Sequence, residues 1–193
     1  MTPRMIKIDT DTTHGDVIDQ LLEQHELVRA AIYEVAATTT AKSRQKTFDA
    51  LRELLARHET AEEMIIRPLT RNIDGGDEIA AARMDEENES KIVLAKLEKL
   101  DIASVEFARM FEQFAGAVLT HAQAEEKTEF PLLRQQLEPE QLARAEKLLL
   151  TAEKTAPTHP HPSARTTAAN YVAGPFAAMA DRARDAIGKA RAS

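Results

Sequence analysis

The sequence predicts an all-α protein: an up-down-up-down four-helix bundle with an extra C-terminal helix and a tail. Three observations predict it. Apolar residues recur at helical spacing in four long segments. Short polar connections separate these segments, which places consecutive helices side by side and antiparallel. No alternating pattern of β type competes with them, and no internal repeat of solenoid type is apparent.

The first helix spans 17–37, with Ile18, Leu21, Leu22, Val28, Ile32 and Val35 on its apolar side. Thr12 or Thr13 is placed to cap it, with the start near Gly15. The polar run 38–43 connects it to a second helix over 43–66, carrying Phe48, Leu51, Leu54, Leu55 and Ile65. Pro68 disfavours helical backbone at Arg67 and limits the helix there. Asn72-Ile73-Asp74-Gly75-Gly76 reads as a turn. The third helix runs over 77–100, and 101–104 is a short connection. The fourth covers 104–127, with Phe107, Met110, Phe111, Phe114, Val118 and Leu119 on one side, and Phe130-Pro131 ends or kinks it. These four helices are each roughly 32–37 Å long at 1.5 Å per residue. A shorter fifth helix, 138–154, carries Pro139 in its first turn, where its missing N–H costs nothing.

Residues 13–154 therefore form one domain. Beyond Thr155 the composition changes. Ala156-Pro157-Thr158-His159-Pro160-His161-Pro162 reads as a linker. The stretch 174–190 is weakly amphipathic, with Phe176, Met179, Ala183 and Ile187 on one stripe. Together, 155–193 form a Pro/His linker and an amphipathic tail.

Composition excludes several functions. The 193 residues hold 25 Lys and Arg against 32 Asp and Glu, a formal net charge of −7. That balance, without a basic cluster, argues against nucleic acid and against anionic membranes as partners. The absence of Cys removes disulfides, thiolate metal sites and thiol nucleophiles. No run of about 18 apolar residues is present to span a membrane. The N-terminal stretch has no apolar segment of signal-peptide type, so the expected location is cytoplasmic. Aromatics make up 4% and Trp is absent, which disfavours stacking platforms for bases or sugars.

Three of the six His fall inside helical apolar patterns. His25 lies between Leu21 and Val28, His58 between Leu54 and Ala61, and His121 between Val118 and Ala124. Each points inward. Glu62 follows His58 by four residues and Glu125 follows His121 by four, so each pair is adjacent on one helix face. Both pairs lie on or beside an apolar stripe, where an unpaired carboxylate is costly to bury. On the third helix, steps of three and four along the stripe run Met84, Glu87, Ser90 or Lys91, Leu94, Leu97. Glu87 thus takes the slot that His25 takes on the first helix. Asn88 is one position off, and Glu86 is on the other side. The interior would gather His25, His58, Glu62, Glu87, His121 and Glu125. Mixed nitrogen and oxygen donors without sulfur suit iron, manganese or zinc. Glu59, Glu63 and Glu126 neighbour these positions and read as surface groups or as partners that orient the His rings. Tyr33 lies two turns beyond His25 and either bonds near the site or packs.

The three His segments resemble the hemerythrin-like family, the HHE cation-binding domain, over roughly residues 15–137. The resemblance rests on Leu21 to Ile32 around His25, on Leu55 to Leu69 around His58 and Glu62, and on Leu119 to Leu133 around His121 and Glu125. Most specific is His121 followed by Glu125-Glu126 and then Phe130-Pro131. His58, Glu62 and Pro68 are laid out similarly. The resemblance implies a four-helix bundle with an oxo- or hydroxo-bridged non-haem di-iron centre. It implies iron ligands at His25, His58, Glu62, His121 and Glu125. The chain departs from the family on the third helix, where relatives commonly carry His. That slot falls here on Glu87, and the departure puts simple reversible oxygen carriage in doubt.

The expected function is a di-iron protein that binds or reduces oxygen, peroxide or nitric oxide, with two iron ions preferred over manganese or zinc. Iron handling or metal sensing through the C-terminal tail is an alternative. A metal-free interaction bundle is a second.

Overall fold

The computed structural model describes residues 15–159, and all regular structure among them is helical. Helix α1 is Val17–Ala37. Its cap is Asp16, whose side chain accepts from the Ile18 and Asp19 N–H groups while Asp19 accepts from the Asp16 N–H. This reciprocal box satisfies donors that the first turn leaves open. It replaces the expected Thr12 or Thr13 cap, and those residues lie outside the described ones. Helix α2, Ala41–Ala61, starts two residues before the expected Ser43 because Thr40 caps it.

Pro68 does not stop its helix as the sequence predicts, and at Phe130-Pro131, read as an end or a kink, the helix also runs on. After α2 the chain makes a five-residue π turn, Glu62–Ile66, and continues as α3, Arg67–Arg71. The Arg67 N–H reaches back to the Glu62 carbonyl. In an α register the ring of Pro68 would press on the carbonyl of residue 64. The wider π turn shifts those carbonyls and lets the helix run on. The same device recurs once. Helix α5, Val105–Ala124, is capped by Ser104 and passes through a π turn, Glu125–Glu129, into α6, Phe130–Gln136. There the Phe130 N–H reaches the Glu125 carbonyl, just ahead of Pro131. Each π turn begins at the Glu of a His-x-x-x-Glu pair.

Helix α4, Gly76–Leu97, ends three residues short of the expected Leu100. Gly75 before it sits at φ +76°, a left-handed conformation suited to glycine. A Cβ on Gly76 would lie 1.7 Å from the Thr70 carbonyl oxygen, so this glycine lets α4 start hard against α3. Helix α7, Pro139–Thr155, is close to expectation. The expected amphipathic stretch 174–190 lies outside the described residues.

Helix α1 packs on α2, α4 on α5, and α1 on α5, while α7 lies against α1, α2 and the first π turn. The core is in two halves. One, built from Val28, Ile32, Phe48, Leu51, Leu94, Phe107, Phe111, Phe114 and their neighbours, fills the end of the bundle near the α1–α2 and α4–α5 connections. The other joins Ile18, Leu21, Met64, Ile65, Phe130, Leu133 and Leu149 beneath α7. Buried polar side chains lie between them: Gln24, His25, His58, Glu62, Arg67, Glu87, Glu125 and Glu129. Burial of the two apolar halves is the dominant force holding the helices together, and it fixes the polar layer at mid-bundle.

Candidate metal centre

All six sequence-predicted residues meet in this layer. Their donor atoms form two overlapping groups, His25, His58, Glu62 and Glu125 in one, and Glu62, Glu87, His121 and Glu125 in the other. Within each group the atoms lie within 4.8 Å of one another. Glu62 and Glu125 belong to both. The two four-donor clusters share two carboxylates, and each could hold a metal ion.

The His rings are held from behind. His58 Nδ1 lies 2.8 Å from Gln24 Oε1, His25 Nδ1 2.7 Å from Glu126, and His121 Nδ1 2.8 Å from Glu86. Each of these partners is next in sequence to another residue of the cluster: Gln24 to His25, Glu86 to Glu87, Glu126 to Glu125. One helix turn thus supplies both a donor for the centre and a brace for a neighbouring ring. With Nδ1 committed outward, each Nε2 faces the interior, the arrangement metal-binding His residues adopt. His25 Nε2 and His121 Nε2 stand 3.2 Å from Glu125 oxygens, and His58 Nε2 stands 3.5 Å from Glu62. His25 Nε2, His121 Nε2, Glu62 Oε1, Glu87 Oε2 and Glu125 Oε2 are all buried without a hydrogen-bond partner. Buried polar atoms are normally satisfied, so converging orphans of complementary donor type fit a metal.

Electrostatics follow from burial. His58 is pushed down to about 3 by burial and by the neighbouring His25. Burial lifts Glu87 to about 8 despite Arg67, and lifts Glu62 well above the carboxylate range, with Glu125 adding repulsion. Burial would also raise Glu125, yet Arg67 and His121 hold it well below. His121 is raised, its burial outweighed by Glu125 and Glu86.

Arg67 is the main residue that sequence reasoning missed. It is 1% exposed. Its Nε bonds Glu87 at 2.8 Å, and its terminal nitrogens pair with Glu125 and Glu129 and approach Glu62 at 3.5 Å. Thr70 donates to Glu129 behind it. At about 100° per residue, an uninterrupted α-helix would turn Arg67 some 140° away from Glu62. The π turn brings it inward, and the Pro68 that follows was the available signal. Glu129 was missed as well, and its place four residues after Glu125 was the available signal. Glu86, off the stripe beside Glu87, braces His121. Glu59 and Glu63 are buried rather than superficial, and Glu63 pairs with Lys91. Burial pushes Glu59 up to about 7. Tyr33 is 68% exposed and takes no part. His159 lies 3.9 Å from Glu98, away from the centre.

A cavity of about 20 Å³ adjoins the cluster, between His25, His58, Glu87 and His121 on one side and Leu55 and Val118 on the other. A volume of that size holds one water-sized molecule.

Fold and layer define a class: helical bundles that carry a His and carboxylate cation site in the core. The hemerythrin HHE cation binding domain matches residues 16–133, and the chain belongs to that family. It is 30% identical over 138 residues to an uncharacterized hemerythrin-like protein of Schizosaccharomyces pombe, covering 70% of this chain and 68% of that one. It is 27% identical over 133 residues to a DNA nickase of Nostoc, covering 68% of this chain but 37% of the nickase. The nickase activity is that protein's. The fold is shared with the crystal structure of a hemerythrin HHE cation binding domain-containing protein from Mycobacterium kansasii. The TM-score is 0.65 at 15% identity, over 87% of this chain and 98% of that one. No described helix is long and apolar enough to cross a membrane.

Proposed function

We propose that this chain is a di-iron protein that binds or reduces a small ligand of the oxygen, peroxide or nitric oxide class. His25, His58, Glu62, Glu87, His121 and Glu125 are the proposed ligands. The observation that carries the reading is the set of buried orphan atoms, imidazole Nε2 against carboxylate oxygen, in two groups that share Glu62 and Glu125. Bound iron would supply the position and the electrons for the small ligand. The chain's own part is to fix the rings through Gln24, Glu86 and Glu126. Leu55 and Val118 wall the cavity and limit water entry. Its size favours a diatomic ligand or peroxide over an organic substrate. The three proposed carboxylate ligands against three imidazoles make the site electron-donating, which favours reduction over reversible carriage.

A metal-free interaction bundle draws on one observation, the Arg67 guanidinium that compensates the carboxylates from within. It leaves the His25 and His121 Nε2 atoms unexplained. The test is metal content and absorption of the purified protein beside His58→Ala, Glu62→Ala and His121→Ala. The di-iron reading expects each substitution to remove metal and the associated absorption. Unchanged spectra and metal content in all three would overturn it.

A further inference from the structure

His58 differs from the other two proposed His ligands in what stands behind it. His25 and His121 are braced by Glu126 and Glu86, which are partly exposed and paired with Arg29 and Arg83. His58 is braced by a neutral, buried amide. Gln24 presents its oxygen to His58 Nδ1 at 2.8 Å and donates through Nε2 to Glu153 Oε1 at 2.5 Å. Gln24 is 1% exposed and Glu153 6%. Glu153 sits in the last turn of α7, a helix that supplies none of the six donors. Its neighbours Leu149 and Ala152 are anchored in the apolar half beneath α7.

We propose that Glu153 is a positioning residue for His58, acting through Gln24, and that this relay couples the fifth helix to the metal centre. The inference rests on the metal reading above for its functional meaning. A carboxylate only accepts, so it turns the Gln24 amide nitrogen toward itself and leaves the amide oxygen for His58. The imidazole proton then lies on Nδ1, and Nε2 keeps its lone pair for the interior. Charge on Glu153 polarises the amide and makes the ring a better donor, as outer carboxylates do for metal-bound His. Burial raises the Glu153 carboxyl, and the Gln24 hydrogen bond and the Arg57 charge pull the other way. Coupling is reciprocal: whatever docking of α7 adds to metal affinity, metal adds to the docking of α7.

Glu153→Gln tests this in the full-length chain, because it keeps an acceptor oxygen for Gln24 and removes the charge. Histidine nitrogen NMR of the metal-free protein gives the first readout. The His58 resonances are expected to move and those of His25 and His121 to stay. Zinc affinity gives the second, with a loss of about 10-fold, the lower end for outer-shell partners. In a Gln24→Met background, Glu153→Gln is expected to change neither. A stationary His58, equal movement of all three rings, or zinc affinity within about twofold of wild type would each overturn the relay. If His58 responds but the wild-type chain takes up neither zinc nor iron, the relay stands and the metal reading falls.

Discussion

At the scale of single residues, the centre is a balance between the Arg67 guanidinium and several buried carboxylates. Arg67 is buried against Glu62, Glu87, Glu125 and Glu129. Removing one partner of a buried ion pair costs about 3–5 kcal/mol. Arg67→Met is therefore expected to destabilise the metal-free protein by about that much in urea titration, and bound metal is expected to restore part of the loss. A variant as stable as wild type without metal would contradict this role. The shifted groups also fix a pH dependence. Burial holds Glu59 at about 7 and Glu87 at about 8, and His121 is raised above its ordinary 6.5. Between about pH 6.5 and 8 these groups keep protons in the folded metal-free chain that the unfolded chain has released. Stability must fall as pH rises through that window. His58, at about 3, works in the opposite sense only below its ordinary 6.5. Metal binding needs neutral imidazole and ionised carboxylate, so loading is expected to remove the share of the decline that Glu87 and His121 contribute. Thermal melts at pH 6.5 and 8, with and without metal, check this. A metal-free midpoint that rises across the window would refute it. The inward positions of the three His and of Glu87 were legible from 3.6-residue apolar stripes, and those of Glu62 and Glu125 from their place four residues after a His. Gln24 and Glu153 were not, since their partnership joins residues 129 positions apart.

At the scale of elements, the helices were legible and their continuations past proline were not. Apolar periodicity located the four bundle helices, and the fifth helix was set by Pro139 in its first turn. Caps shifted the starts by a residue or two, as where Thr40 starts α2 at Ala41 in place of Ser43. Pro68 reads locally as a helix stop and Phe130-Pro131 as an end or a kink. Each instead follows a π turn, a feature that marks functional positions in many helices. Their cost in regular hydrogen bonding is offset by what they aim: the first turns Arg67 inward, and the second places Glu129 against it. The Gly75-Gly76 turn has a similar positional role. Gly76→Ala would drive a methyl into the Thr70 carbonyl and push α4, with Glu87, away from α3. Overpacking of this kind costs about 1–3 kcal/mol. Urea titration is expected to show that loss, and a neutral effect would mean that α4 can shift freely.

At the scale of the whole molecule, two apolar clusters clamp a polar layer between them. Leu51, wholly buried in one half, tests the clamp. Leu51→Ala is expected to cost about 2–5 kcal/mol while leaving the donor set intact, so metal stoichiometry per folded chain should not change. A bundle with this layer gains stability from any ligand that binds only its folded form. Metal removal should accordingly lower the midpoint of thermal unfolding. Sequence and structure agree on the family and the bundle, the structure gathers the six proposed donors in one layer, and the central claim is that they hold two iron ions. The most direct measurement is metal content per chain, on protein purified without a His tag and without exposure to air. About two irons per chain is the expected result. Zero or substoichiometric metal that persists after reconstitution with ferrous iron would contradict the claim.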